Sequence, residues 1–330
     1  MRAAVVKEFG PIATHKVGEL PNPQPDPGEV LVTIKATAVN FVDSLVVTGR
    51  YQFLPDRPFA PGKLPTGVVT AVGAGVTSLA VGDRVLTLAE QGGYAEQVAV
   101  DAKQCFRLPA SMSFIDAASM ALVYDTSWFA LRERARIAAG DVVLVLGSTG
   151  GVGLAAVQLA KAMGAKVLAG VSNSAKAQLA LDAGANDTID LSQDNLRDSL
   201  REQVFAKNGG KGVDIVIDPI GGDAFDASLR ALAWRGRLVV IGFASGRIPS
   251  VKVNYLLVKN IEVTGLQVSD YRKRAPDLMA QCLHEIFAMY EVGKLKPAAT
   301  VTYPLDAFAK ALQDIVDRRI SGRIVLLPNP

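Results

Sequence analysis

The residues best placed to do chemistry in this chain are the glycines of Asp141-Val-Val-Leu-Val-Leu-Gly-Ser-Thr-Gly-Gly-Val-Gly153. The apolar run Val142 to Leu146 predicts a strand buried on both faces, and Leu154-Ala-Ala-Val-Gln-Leu-Ala-Lys-Ala-Met163 predicts a helix. Gly150, Gly151 and Gly153 stand between them, where a backbone without Cβ atoms lets a pyrophosphate approach closely. The helix start then offers free N–H groups and the positive end of its dipole. The expected ligand is a dinucleotide. The run Ser148-Thr149-Gly150-Gly151-Val152-Gly153 departs from G-x-G-x-x-G by placing Ser148 at the first glycine position. A glycine turn of this kind also serves pure packing, so its surroundings must carry the reading.

A sheet selecting NAD usually carries an acidic residue about 20 positions past the glycines, to hold the ribose diol. Here that place is taken by Ala169-Gly-Val-Ser-Asn-Ser-Ala-Lys176, which holds no acid. Ser172, Asn173 and Ser174 can donate hydrogen bonds there, and Lys176 can meet a 2′-phosphate. One charge-assisted bond contributes about 1.5–3 kcal/mol, roughly a tenfold to hundredfold preference for NADPH over NADH. Ser172 to Ser174 can equally cap the next helix, and the two roles are compatible.

The elements that must position these groups follow from the rest of the pattern. Residues 1 to 122 hold short alternating or β-branched runs, Val30 to Lys35, Gly67 to Val72 and Asp83 to Leu88, punctuated by Pro and Gly. This is a mostly β domain. Beyond 123, strands alternate with helices: strands at 142–146, 166–171, 187–190, 213–218, 237–242 and 261–265, with helices at 154–163, 175–183, 196–206 and 223–233. Six strands in two βαβαβ halves predict a Rossmann doubly wound parallel sheet, with its ligand at the carboxyl ends of the strands. Met279, Cys282, Leu283, Ile286 and Tyr290 share one helical face, Leu305, Phe308, Leu312 and Ile315 another, and 322–327 closes as a strand.

Composition narrows the alternatives. With 330 residues, 49% hydrophobic and 20% charged, the chain is long enough for two cores. No apolar run reaches the roughly 18 residues of a membrane span, and Met1 to Phe9 reads as a strand broken by charge rather than a secretory signal. A cytoplasmic protein without a membrane segment is expected. Net charge +3 with scattered basic residues argues against nucleic acid as a partner. Two cysteines, Cys105 and Cys282, have no C-x-x-C spacing, so neither a disulfide framework nor a thiolate zinc cluster is indicated.

Asn40-Phe-Val-Asp43, Pro61-Gly62, Val72-Gly73 with Val81-Gly-Asp-Arg-Val85, Gly150-Gly-Val-Gly153, Asp218-Pro-Ile-Gly-Gly222 and Ser321-Gly-Arg323 together resemble the zinc-independent quinone oxidoreductases of the medium-chain dehydrogenase/reductase (MDR) superfamily. The resemblance runs from end to end. It implies an α/β protein with a GroES-like mostly-β barrel domain, residues 1–122 and 266–330, and a Rossmann NADP-binding domain, residues 123–265. It places Asn40 beside the nicotinamide and Thr126 on its ribose or amide. Ile220 with Phe243, Ala244 and Ser245 would line the nicotinamide pocket, with Arg323 near the cofactor. Tyr51 matches an active-site tyrosine able to donate to a substrate oxygen. Zinc-dependent relatives carry Cys at the position of Asn40 and His-Glu at Lys63-Leu64; with two histidines in the chain, no three-ligand catalytic zinc site can be assembled and a metal-free protein is expected.

These readings point to hydride transfer from NADPH to a quinone or activated enone, with the protein supplying geometry. Asn40 could instead satisfy a loop backbone, Tyr51 could be a half-buried core aromatic, and Asp43 reads as a turn brace. Asp125 reads as a helix cap. Leu45 and Leu64 replace a tyrosine and a glutamate common in the family, which implies a more apolar pocket. An enoyl-thioester (enoyl-CoA) reductase using Tyr51 or Tyr124 and the Arg50/Arg57/Lys63 neighbourhood stays open, as does a non-catalytic NADPH-binding sensor or nucleic-acid binder. A homodimer is expected through the edge strand at Ile261 to Gly265.

Overall fold

The chain of apolar and glycine punctuation folds as two units. A computed structural model of the protein describes residues 1–320 and 322–328. Residues Met1–Leu122 and Pro297–Pro330 form one compact unit and Val123–Lys296 the other.

The first unit contains β1 (Arg2–Val5), β2 (Lys16–Glu19), β3 (Glu29–Val39), helix α1 (Phe41–Val47), β4 (Thr66–Val72), β5 (Arg84–Thr87), β6 (Gln97–Asp101), β7 (Cys105–Arg107) and α2 (Phe114–Met120). The second contains α3 (Val123–Trp128), β8 (Val142–Val145), α4 (Gly151–Ala162), β9 (Lys166–Val171), α5 (Ala177–Asp182), β10 (Asp187–Asp190), α6 (Leu196–Lys207), β11 (Val213–Asp218), α7 (Gly222–Ala231), β12 (Leu232–Val240), α8 (Asn254–Lys259), β13 (Glu262–Gly265), α9 (Val268–Arg274) and α10 (Pro276–Glu291). The chain then returns to the first unit with β14 (Thr300–Pro304), α11 (Phe308–Val316) and β15 (Arg323–Leu327).

In the second unit the strands lie in the order β10-β9-β8-β11-β12-β13, all parallel. Sequence order reverses between β8 and β11, which makes their carboxyl ends the switch point of a doubly wound sheet. Leu144, Leu168, Val216, Phe225 and Leu238 meet in one core. That near-continuous burial is why these strands are written as runs of Val, Ile and Leu rather than as alternation. In the first unit β3 is the central strand, paired antiparallel with β4, β6 and β15. Val39, Val46, Tyr94, Phe308, Leu312 and Ile324 form its core beneath α1 and α11.

Two expectations are corrected. Residues 266–296, assigned to the barrel, belong to the second unit. Side chains explain why: Arg272 on α9 forms a 2.6 Å ion pair with Asp125 on α3, both almost fully buried. Trp128 on α3 also donates to Glu285 on α10 at 2.8 Å. Periodicity identifies the buried face of α10, at Met279, Cys282, Leu283 and Ile286, but not the element that covers it. Secondly, the helix expected at 223–233 ends at Ala231 and β12 starts at Leu232. Register slips there, from Val213 opposite Leu232 to Ile215 opposite Arg237. Within the mostly β unit, α1 starts where Asp43 accepts from the Asn40 N–H at 2.8 Å.

Both tryptophans, Trp128 and Trp234, lie in the second unit, so their fluorescence reports its unfolding. Replacing Arg272 by Met strands the buried Asp125 carboxylate, at a cost of about 3–5 kcal/mol. The expected outcome is a clearly lowered urea midpoint; an unchanged midpoint contradicts this account of how α9 is held.

Candidate functional site

The glycine turn connects β8 to α4. Gly147 takes φ +60°, a left-handed conformation, and a Cβ there would come within 2.9 Å of Ile220 Cδ1. Ile220, in the turn after β11, thus stands directly beside the glycine turn. A Cβ on Gly153 would lie 2.2 Å from the Gly147 carbonyl oxygen, so close helix–strand packing demands glycine there. Gly150 differs. It has ordinary extended backbone, φ −82°, and a Cβ would find no protein atom nearer than 3.5 Å outside its neighbours. Nothing in the protein requires glycine at 150, whereas a pyrophosphate laid against the turn does. No side chain caps the α4 N-terminus, and its first N–H groups face outward as helix geometry dictates. These residues fit a dinucleotide.

The remaining groups assigned to the cofactor divide by where they fall. Thr149 and Val152 are half-buried beside the turn, while Ser148 is fully buried and donates its hydroxyl to the Gly170 carbonyl at 3.0 Å. Ser148 therefore ties the turn to β9. Thr126 is buried on α3, its N–H donating to Asp125, and the next residue, Ser127, bonds the Val152 carbonyl at 2.9 Å. Beyond β9, Ser172 and Asn173 are exposed and Lys176 is half-buried, and Asn173 Oδ1 accepts from the Ala175 N–H at 2.9 Å. Asn173 is thus a local cap with its amide N–H groups directed elsewhere. The Ser174 side chain and Ser321 lie outside the described residues.

The loops after β11 and β12 are zipped together. Ala244 N–H donates to Pro219, Ser245 N–H to Ile220 and Gly222 N–H to Arg247. Asp218 Oδ1 accepts from the Ile220 and Gly221 N–H groups, both at 2.8 Å, and burial pushes its carboxyl above the usual range. Phe243 stays 41% exposed in this rim. The structure therefore brings the Gly147–Gly153 turn, Ile220, Phe243, Ala244 and Ser245 together at adjacent carboxyl ends.

Asn40, Tyr51 and Arg323 belong to the first unit. Arg323 is buried, donating from Nη2 to Asn40 Oδ1 at 2.8 Å and from Nε to the Ser119 carbonyl at 3.0 Å. Asn40 Nδ2 donates to the Ala38 carbonyl at 3.3 Å, so a second amide hydrogen remains for a ligand. Asp43 Oδ2 accepts from both the Asn40 N–H and the Tyr94 hydroxyl, at 2.8 and 2.7 Å. Burial raises the Asp43 carboxyl above its ordinary range, against the lowering effects of Tyr94, Lys63, Asn40 and Arg323. Burial and Asp43 likewise push the Tyr94 phenol up. Tyr94 was not visible as a site residue, because Gly92-Gly93-Tyr94 carries no chemical spacing signal. Tyr51 is half-buried, packs on the core and meets Phe53 edge-on at 6.3 Å. Lys63 Nζ sits 5.8 Å from its ring centroid and 2.6 Å from Glu90 Oε2.

Neither thiol is poised for chemistry: burial and Asp101 push Cys105 up to about 12, and burial raises the Cys282 thiol well above its ordinary value. Among the described residues, no group of three or more His, Cys, Asp or Glu side chains could hold a metal ion. No described helix is long and apolar enough to cross a membrane.

One unit with a doubly wound parallel sheet and a glycine turn at its switch point, and another of antiparallel strands closed by the returning C-terminal strands, define a two-unit dinucleotide-binding protein. The chain belongs to the quinone oxidoreductase-like group of the MDR superfamily. The alcohol dehydrogenase GroES-like domain family matches residues 26–110, and the zinc-binding dehydrogenase family residues 151–285. Quinone oxidoreductase-like protein 2 of Rattus norvegicus is 36% identical over 98% of this chain and 91% of its own length. The quinone oxidoreductase of Sus scrofa is 31% identical over 98% and 96%. Among solved structures, Escherichia coli quinone oxidoreductase complexed with NADPH superposes with TM-score 0.90 at 30% identity, covering 99% of this chain and 100% of that one. A mycobacterial protein complexed with NADPH gives TM-score 0.91 at 34% identity, covering 99% and 100%.

Two contrasts test this geometry. Gly150→Ala is expected to keep stability within about 1 kcal/mol of wild type while weakening NADPH binding at least tenfold, read by nucleotide fluorescence. Gly153→Ala is expected to lose about 1–3 kcal/mol or more of stability through overpacking. Equal effects of the two would contradict the distinction. For Asp43, whose folded pKa is raised, stability is fully present below the unfolded value near 3.8 and is lost as pH rises through the folded pKa. Asp43→Asn removes that loss, so urea midpoints of variant and wild type should diverge in the variant's favour as pH climbs from about 4. A constant difference across pH would contradict a raised Asp43.

Proposed function

We propose that this chain is an NADPH-dependent, metal-free oxidoreductase that transfers hydride to a quinone or an activated enone. The observation carrying the reading is the open turn at Gly150: the switch point of the sheet, an uncapped helix start and a glycine the protein itself does not need. The likeness to relatives solved with NADPH supports the same cofactor. Bound there, the dihydronicotinamide supplies the hydride.

This chain's own residues hold and orient. Gly151 and Val152 present backbone N–H groups to the pyrophosphate, Gly150, its own N–H bonded to the Gly147 carbonyl, lets it approach closely, and Thr149 offers a hydroxyl beside them. Ser172 and Lys176 meet the 2′-phosphate, Lys176 supplying a charge-assisted bond. Ile220 and Phe243 give the nicotinamide an apolar wall, with Ala244 and Ser245 fixed beside it by their backbone bonds to Pro219 and Ile220. Asn40, its amide carbonyl held by Arg323, keeps one N–H to donate. Tyr51 offers its phenol to an acceptor oxygen. The enoyl-thioester alternative gains less support, because the Tyr124 hydroxyl lies 3.1 Å from both Gln158 Oε1 and the Lys296 carbonyl, and Arg57 pairs with Glu8.

A homodimer fits the same reading. β13 is an edge strand, and Ile248, Val253, Leu257 and Val258 beside it are each more than 70% exposed. An apolar edge of this kind is usually covered.

Chelator-treated protein is expected to oxidise NADPH with ortho- or para-quinones or an alkyl enone and to prefer NADPH to NADH at least tenfold. Lys176→Ala should erase most of that preference. NADPH binding without turnover on quinone, enone or a short enoyl-CoA would favour the sensor reading. Turnover on the thioester alone would identify an enoyl reductase.

A further inference from the structure

The most heavily built feature of the first unit that hydride transfer does not yet use is Lys63. Its side chain is only 8% exposed, yet it carries an ammonium, and two of its three N–H groups donate to Glu90, to Oε2 at 2.6 Å and to the carbonyl at 3.2 Å. Among the described residues, one N–H is left over.

The backbone around it is forced. Leu64, a bulky buried residue, is held at φ +53°, with its N–H bonded to the Ala89 carbonyl at 2.8 Å. Gly62, at φ +95°, lies so close to the Tyr94 ring that a Cβ would sit 2.3 Å from it. Backbone held in such sparsely populated conformations persists where surrounding structure over-determines it, as at ligand sites. Here the turn delivers Lys63 to within 5.8 Å of the Tyr51 ring centroid and near enough to exert a lowering effect on the Asp43 carboxyl, which accepts from the Tyr94 hydroxyl and the Asn40 N–H. The charged and titratable groups around the ammonium are thus Glu90, Asp43, Tyr51, Tyr94 and Arg323. Lys63 lies against the ring of the tyrosine assigned to the acceptor.

We propose that the Lys63 ammonium is the counter-charge for the oxyanion formed on the acceptor, with Glu90 holding it in place. This rests on the reductase reading. The C–H bond of the dihydronicotinamide breaks and the hydride bonds to the β-carbon of an enone or to one oxygen of a quinone. The electron pair displaced from the acceptor's π system settles on its oxygen as an enolate or hydroquinone monoanion, and water later supplies the proton. The nicotinamide is oxidised and the acceptor reduced by two electrons. A fixed cation is most effective where charge develops out of water.

The decisive probe is p-nitrophenol, whose phenolate mimics that oxyanion and is read directly by its absorption band. At the pH where the free compound is half ionised, binding to wild type should raise the phenolate-to-phenol ratio about tenfold, as expected for an opposite charge at close range. Lys63→Met should abolish the rise, Lys63→Arg should retain it, and Glu90→Gln, which unmasks the ammonium, should increase it. In turnover, Lys63→Met should lower kcat for the acceptor about tenfold with NADPH affinity unchanged. Failure of p-nitrophenol to bind, or equal ratios in wild type, Lys63→Met and Glu90→Gln, overturns the proposal. Should Lys63→Met not fold, wild type against Glu90→Gln decides it. Absence of turnover on every acceptor would refute the reductase reading instead, and the phenolate ratio would still decide the role of Lys63.

Discussion

The second unit turns on one close approach, that of Gly153 on α4 to the carbonyl of Gly147 at the end of β8. A single added carbon would lie 2.2 Å from that oxygen. Because the helix can lie so close to the strand, its N-terminus points over the carboxyl edge of the sheet, at the place where strand order reverses. The rim of the glycine turn follows from this placement. Ile220 fills the space that Gly147 leaves, and its loop then takes the rim carrying Phe243, Ala244 and Ser245 through backbone hydrogen bonds. Packing sets Gly147 and Gly153; ligand access sets Gly150. One motif holds both kinds of glycine.

The first unit solves a different problem, the burial of charge. Asp43, Arg323, Lys63 and Asn40 are all nearly inaccessible to water, a costly arrangement unless each group is bonded. Asp43 answers the Asn40 backbone and the Tyr94 phenol, Arg323 answers Asn40 and Ser119, and Glu90 answers Lys63. Asn40 and Lys63 each keep an N–H beyond these bonds, and they are given roles toward ligand. They place an amide and an ammonium in the first unit, and the proposed reading gives them the polarisation of the acceptor, by hydrogen bonding and fixed charge.

Much of the second unit was legible because its physics is local. Buried parallel strands must be apolar throughout, as at Val142 to Leu146 and Val213 to Asp218, and glycine must mark the turn that a helix approaches closely. The site was less legible where it depends on contacts distant in sequence. Asp125 reads as a helix cap until Arg272 is found 147 residues away, and that pair explains why 266–296 packs with the sheet rather than with the barrel. Ser148 reads as a phosphate donor, yet its hydroxyl is turned to Gly170. Asn173 reads as a donor to a 2′-phosphate, and its Oδ1 caps the Ala175 N–H. Small polar residues near a phosphate turn satisfy their own backbone as readily as a ligand, and sequence alone does not separate the two.

The central claim is that this chain moves hydride directly from a nicotinamide to an acceptor carbon. The most direct test is a turnover with NADPH carrying deuterium at the transferred position of C4 and an alkyl enone as acceptor, followed by mass and NMR analysis of the product. The account predicts one deuterium at the carbon β to the carbonyl, with the α-proton drawn from water. Deuterium retained on the cofactor, or product formed with no label at that carbon, would contradict it.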